Sequence, residues 1–172
     1  MQIAQVKISS LDCDPANVRL HDAKNLDAIK GSLKRFGQQK PIVVDGNGVV
    51  VAGNGTLTAA RALGWEHIRI VKTELLGAEA TAYAIADNRT AELAEWDDEA
   101  LAKQLSALQI EDEALVEAAG FSDAELTALV DEVTVFQPDG TTAEEITLND
   151  LNTKHQCPSC GFEFDKMVSD EA

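Results

Sequence analysis

Cysteine is scarce in this chain of 172 residues, with three in all, Cys13, Cys157 and Cys160, too few to frame a disulfide-stapled fold. Aromatic residues make up 5% of the sequence while hydrophobic residues make up 45%, so the core must come from Ala, Val, Leu and Ile in a mixed or helix-rich fold. No apolar run approaches the roughly 18 residues needed to span a bilayer. The opening MQIAQVKISS lacks the apolar block of a signal peptide. A cytoplasmic location with no membrane partner is therefore expected.

Positive charge is missing from one half only. Residues 1–75 hold 10 Lys/Arg against 7 Asp/Glu, whereas residues 76–172 hold 4 against 23, and the formal net charge is −16. A chain of that charge does not wrap nucleic acid by phosphate contacts alone. An anionic ligand would meet the first half, and the acidic second half reads as solvated helix faces or as a surface for a basic partner.

The order of elements is αβ at the start and helical later. IAQVKISSL alternates as a strand, and DCDPANVRL reads as a loop. Asn25 is the expected cap of a helix in which Leu26, Ile29, Leu33 and Phe36 recur at helical spacing and which Gly37 ends. PIVVDGNGVVVAG reads as two β-branched strands about a hairpin turn. A helix from Thr56 to Leu63, a Gly64 stop and the strand HIRIVKTEL follow. From Gly77 four helices are predicted, the last opened by a capping box, Ser122 with Glu125. After Phe136, QPDGTTAEEITLND reads as a linker. The expected divisions are residues 1–96, an acidic helical region 97–135, a linker 136–153 and a tail 154–166.

Two stretches carry chemistry. In VVAGNGTLTAARALGW, Gly53, Asn54 and Gly55 sit where an apolar strand gives way to an alanine-rich helix. Such a turn serves any strand-to-helix junction. It also suits a phosphate, because the first N–H groups of a helix lack intrahelical partners and carry partial positive charge. There Thr56 and Thr58 would add hydroxyl donors. In the tail, HQCPSCGFEFD has the shape of half a zinc ribbon, with His155, Cys157 and Cys160 as ligands. A structural zinc ion takes four. The fourth would come from Cys13 or from a second chain across a homodimer; otherwise the half-site binds nothing.

NLDAIKGSLKRFGQQKPIVV followed by VVVAGNGTLTAARALGWEHIRIV resembles the N-terminal domain of ParB-type partition proteins, the ParB/sulfiredoxin fold, over roughly residues 3 to 100. The stretch AYAIADNRTAELAEWD is similar to the variant found in phage-type proteins and ahead of DNA methyltransferase domains. The resemblance implies a small α/β (α+β) mixed-sheet domain, here followed by the helical region and the zinc-knuckle tail. It implies a nucleotide or DNA phosphate at Gly53, Asn54, Gly55, Thr56 and Thr58, approached by Asn17 and Arg19 from the opening loop and by Lys40. It implies Mg²⁺ beside the nucleotide at Asp87 and Asn88. The sequence departs from the partition pattern at the turn, where Gly-Asn-Gly-Thr replaces Gly-Glu-Arg-Arg, and it has no cysteine there, which argues against sulfinic acid reduction.

Three functions fit these residues. The first is a nucleotide- or DNA-phosphate-binding module acting in phage or bacterial DNA partition or modification, with a DNA methyltransferase or another DNA-processing protein as partner. The second is a small Mg-dependent nuclease, nucleotide hydrolase or phosphotransferase, and the third is an acidic adaptor with a degenerate nucleotide site. Phosphate chemistry calls for clustered carboxylates or basic groups. The loss of both arginines therefore favours binding, and whether the chain is an enzyme stays open at this point.

Overall fold

β-branched residues on both sides of Asp45-Gly46-Asn47-Gly48 build the centre of the sheet. A computed structural model describes residues 2–135 and, in the tail, residues 155–156, 158–159, 161 and 163–164. Met1–Val135 form one compact unit and Phe136–Ala172 a second.

The first unit opens with β1 (Ile3–Lys7), a short 3-10 turn (Ile8–Ser10) and β2 (Asp12–Cys13). Then come α1 (Ala23–Phe36), the hairpin β3 (Ile42–Val44) and β4 (Val49–Ala52), α2 (Asn54–Ala62) and β5 (His67–Lys72). The five strands form one mixed sheet in the order β1-β5-β3-β4-β2. β5 runs antiparallel to β1 and parallel to β3, and β4 runs antiparallel to β3 and parallel to β2. The hairpin turn is held by Asp45, whose carboxylate accepts from the N–H groups of Asn47 and Val49 at 2.9 and 2.8 Å. The Val49 bond is the main reason its carboxyl lies below the usual range.

Val44, Val50, Leu57, Ala60, Ile68 and Ile70 are fully buried where α2 covers the sheet. Small residues on α2 let the helix lie close to the strands. Four helices follow: α3 (Ala78–Glu92), α4 (Asp98–Glu111), α5 (Glu113–Ala118) and α6 (Asp123–Val135). α3 buries no residue fully and packs chiefly on β4. α4, α5 and α6 share a second core of Leu105, Val116 and Leu126 and meet α1 through α5. In the tail, β6 (His155–Gln156) pairs antiparallel with β7 (Glu163–Phe164).

Several expected boundaries move, and the first and last strands of the sheet stop earlier than expected, at Lys7 and Lys72. α1 is capped by Asp22, which accepts from the N–H of Asn25 at 2.8 Å, because a carboxylate at that place satisfies the first-turn donor that Asn25 itself presents. α2 begins at Asn54 rather than Thr56, since Gly53 takes the cap position. Asp12 and Cys13, expected in a loop, add a two-residue parallel strand beside β4. The Ser122 capping box forms as expected, with Ser122 N–H donating to Glu125 Oε2 at 2.9 Å and Glu125 N–H to Ser122 Oγ at 3.3 Å. Among the described residues, no helix is long and apolar enough to cross a membrane.

The acidic helices are tied to α1 by ion pairs, Lys24 with Glu125 at 2.6 Å and Arg35 with Asp112 at 2.7 Å. The Lys24 hydrogen bond, with those from Ser122, holds the Glu125 carboxyl down at about 2. A lowered carboxyl stabilises the folded state above its ordinary value, here 4.5, and that contribution is lost as pH falls towards about 2. Acid titration followed by circular dichroism should therefore show Glu125→Gln losing less stability than the parent chain between those limits.

Candidate functional site

A cleft of about 230 Å³ opens where four separate segments meet. The loop before α1 supplies Asn17, Arg19 and His21, and the approach to β3 supplies Lys40 and Pro41. The β4–α2 junction supplies Gly53, Asn54, Gly55 and Thr56, and α3 supplies Tyr83, Asp87 and Asn88. Of the residues the sequence assigned to a phosphate or to Mg²⁺, only Thr58 does not line it.

The junction is shaped by two glycines for different reasons. Gly53 has φ +101°, and a Cβ there would stand 2.5 Å from Ile42 Cγ2, so no other residue fits without strain. Gly55 has ordinary helical angles, but its missing Cβ leaves the space that the His21 ring fills, with Cε1 at 2.7 Å from that position. The first intrahelical bond runs from Leu57 N–H to the Gly53 carbonyl at 3.0 Å. The N–H groups of Asn54, Gly55 and Thr56 precede it and have no carbonyl within the helix to reach.

Side chains around this turn divide into holders and free groups. Asn54 is buried, donating to the Val50 carbonyl at 3.2 Å and accepting from Asp14 N–H at 3.1 Å. It is a brace between β4 and the first loop, and the side chain expected at the phosphate is engaged in these two bonds. The Thr58 hydroxyl donates to the Asn54 carbonyl at 2.9 Å and sits 3.9 Å from Cys13 Sγ, two residues beyond Thr56 and outside the cleft lining. Asn17 donates to the Arg19 carbonyl at 2.8 Å and accepts from its N–H at 3.3 Å, so it sets the backbone that presents Arg19. Gln38, also buried, bonds the Lys40 carbonyl and both backbone groups of Arg69, fixing the approach to β3. Arg61 on α2 bonds the Leu11 carbonyl and Cys13.

Charges in the cleft are paired. Arg19 bonds Glu92 at the end of α3, and Lys40 lies 4.0 Å from Asp87. Both pairs are substantially exposed, and exposed pairs are worth at most about 1 kcal/mol, so an anion can compete for the cations. Asn88 donates to the Ala84 carbonyl at 2.8 Å, which leaves its side-chain oxygen. Asp87 and Asn88 thus offer one carboxylate and one amide oxygen, suited to Mg²⁺ only with phosphate oxygens and water completing the shell.

His21 and Tyr83 are cleft residues that sequence reasoning did not assign. Tyr83 stands one helical turn before Asp87, an i, i+4 spacing that the sequence contains. His21 carries no such signal, because only the fold lays the loop over α2. Cys157 and Cys160 lie outside the described residues, as does the His155 side chain. Cys13 belongs to the first unit, and among the described residues no group of three metal-ligating side chains occurs.

No family model matches the sequence. Over 55 residues the chain is 29% identical to the ParB-like nuclease domain-containing protein YnaK of Escherichia coli (strain K12). That match spans 32% of this chain and 63% of YnaK. The C-terminally truncated chromosome-partitioning protein ParB from Caulobacter crescentus, complexed with CTP-gamma-S, superimposes with a TM-score of 0.68 at 20% identity, over 81% of each chain. The same protein complexed to the centromeric parS site covers 78% of this chain and 76% of its own, at 20% identity and a TM-score of 0.44. The chain therefore carries a domain of the ParB/sulfiredoxin fold.

If Asn54 is the brace described, Asn54→Ala leaves a buried N–H and a buried carbonyl without their partner. Chemical denaturation should show a loss of about 1–3 kcal/mol.

Proposed function

We infer that this chain is a phosphate-binding module whose ligand is a nucleotide held at the N-terminus of α2. One observation carries the reading: Arg19, Lys40, the Gly53–Thr56 turn and Asp87-Asn88 come from four parts of the sequence and line one cleft. Backbone donors at a helix start, two cations and a carboxylate with room for a shared cation make a set suited to a phosphate chain. The fold it shares with a partition protein complexed with a CTP analogue supports a nucleotide. The net charge of −16 favours a small ligand over extended DNA contacts. A single cleft carboxylate favours binding over hydrolysis.

On this reading the module serves DNA partition or modification beside a DNA-processing protein such as a methyltransferase. The tail is a separate zinc knuckle in which Cys157, Cys160 and His155 hold the ion with one further ligand. Metal analysis checks the tail: about one zinc per one or two chains is expected, and Cys157→Ser should remove it.

Calorimetry at low salt with the four ribonucleoside triphosphates plus Mg²⁺, and with short DNA duplexes, tests the cleft. Binding of a nucleotide is expected. Thr56→Ala should weaken it by about 1 kcal/mol and Arg19→Ala by about 1.5–3 kcal/mol, the scale of a hydrogen bond to a charged group. Heat from duplexes alone would move the ligand to DNA, and none from either would leave the turn a structural one.

A further inference from the structure

Arg19 pairs with Glu92 and Lys40 with Asp87, which leaves His21, with Tyr83, as the titratable cleft groups without an ion pair among the described residues. His21 Nδ1 lies 2.7 Å from Asn25 Oδ1. An amide oxygen only accepts, so Nδ1 donates, and Nε2 is the atom that changes from acceptor to donor when the ring takes up a proton. The ring lies with its face over the first turn of α2: Nδ1, Cε1 and Nε2 stand 2.9, 2.7 and 3.0 Å from where a Cβ of Gly55 would be. Nε2 is thereby held at the first turn of α2, in the wall of the cleft.

We propose that His21 is a phosphate ligand of this cleft whose hydrogen bond requires the protonated ring, so that anion binding takes up a proton. The proposal rests on the phosphate-cleft reading above and adds the residue and the linkage. A cation at a helix N-terminus is unfavourable alone and becomes favourable when an anion lies between the two. The charged groups around the ring are Arg19 and Asp22 on its own segment, Lys40 before β3, Asp87 on α3 and the N-terminal dipole of α2. A dianionic phosphate contacting α2 would outweigh them in sign, favouring imidazolium. Affinity then rises as pH falls. Asn25 is a positioning residue that fixes the ring over Gly55, whose missing side chain makes the space for it.

The test is calorimetry on the full chain with a ribonucleoside triphosphate and Mg²⁺ at about pH 5.5 and about pH 8, in two buffers of different ionisation heat. His21→Asn and His21→Gln serve as references that cancel the nucleotide's own titration and that of the other histidines, and circular dichroism confirms that at least one is folded. Relative to a folded variant, the parent chain should gain about tenfold in affinity at the lower pH and take up about one more proton on binding. A parent chain that binds with the same pH ratio and proton uptake as the variants overturns the role of His21 and leaves the cleft reading standing. A parent chain that binds at neither pH overturns the cleft reading itself.

Discussion

Everything at the cleft depends on the chain reversing sharply between Ala52 and Asn54 so that α2 starts beneath the end of β4. Gly53 makes that reversal at φ +101° and in the space beside Ile42, and its carbonyl accepts the first bond of α2 from Leu57. A side chain there would clash with Ile42 and strain the backbone, moving the helix start away from the segments around it. Asn54 then locks the junction from inside by joining Val50 to Asp14. The turn and the first loop are therefore braced as one piece, and α2 keeps its start fixed through the fully buried Leu57 and Ala60.

Around this rigid centre the charged groups are held loosely. Arg19 and Lys40 pair with Glu92 and Asp87 of α3 across the cleft, and α3 has no fully buried residue. Such pairs act as internal stand-ins for an anion: they keep the cations near the helix start and are cheap to exchange.

Much of the fold was legible because its signals are local. The β-branched hairpin about Asp45, the Ser122 capping box and the glycine turn each depend on residues within a few positions of one another, and each forms. The short β2 strand was not legible, since Asp12 and Cys13 become a strand only because β4 has an open edge there. At the site, the residue types around the turn and the resemblance to partition proteins located Arg19, Lys40, Thr56 and Asp87 on the cleft wall. They could not show that the polar groups of Asn54 and Thr58 are engaged by the backbone at long and short range. Nor could they find His21, because the space over Gly55 exists only once the loop has crossed α2.

The most direct test of the cleft is an amide-resolved titration of the full chain by nuclear magnetic resonance with a ribonucleoside triphosphate and Mg²⁺. If the phosphate sits at the start of α2, the largest shifts fall on the N–H groups of Gly53, Asn54, Gly55 and Thr56, followed by those around Arg19 and Asp87. Shifts confined to α4, α5 and α6, with the Gly53–Thr56 amides unmoved at saturation, would contradict it.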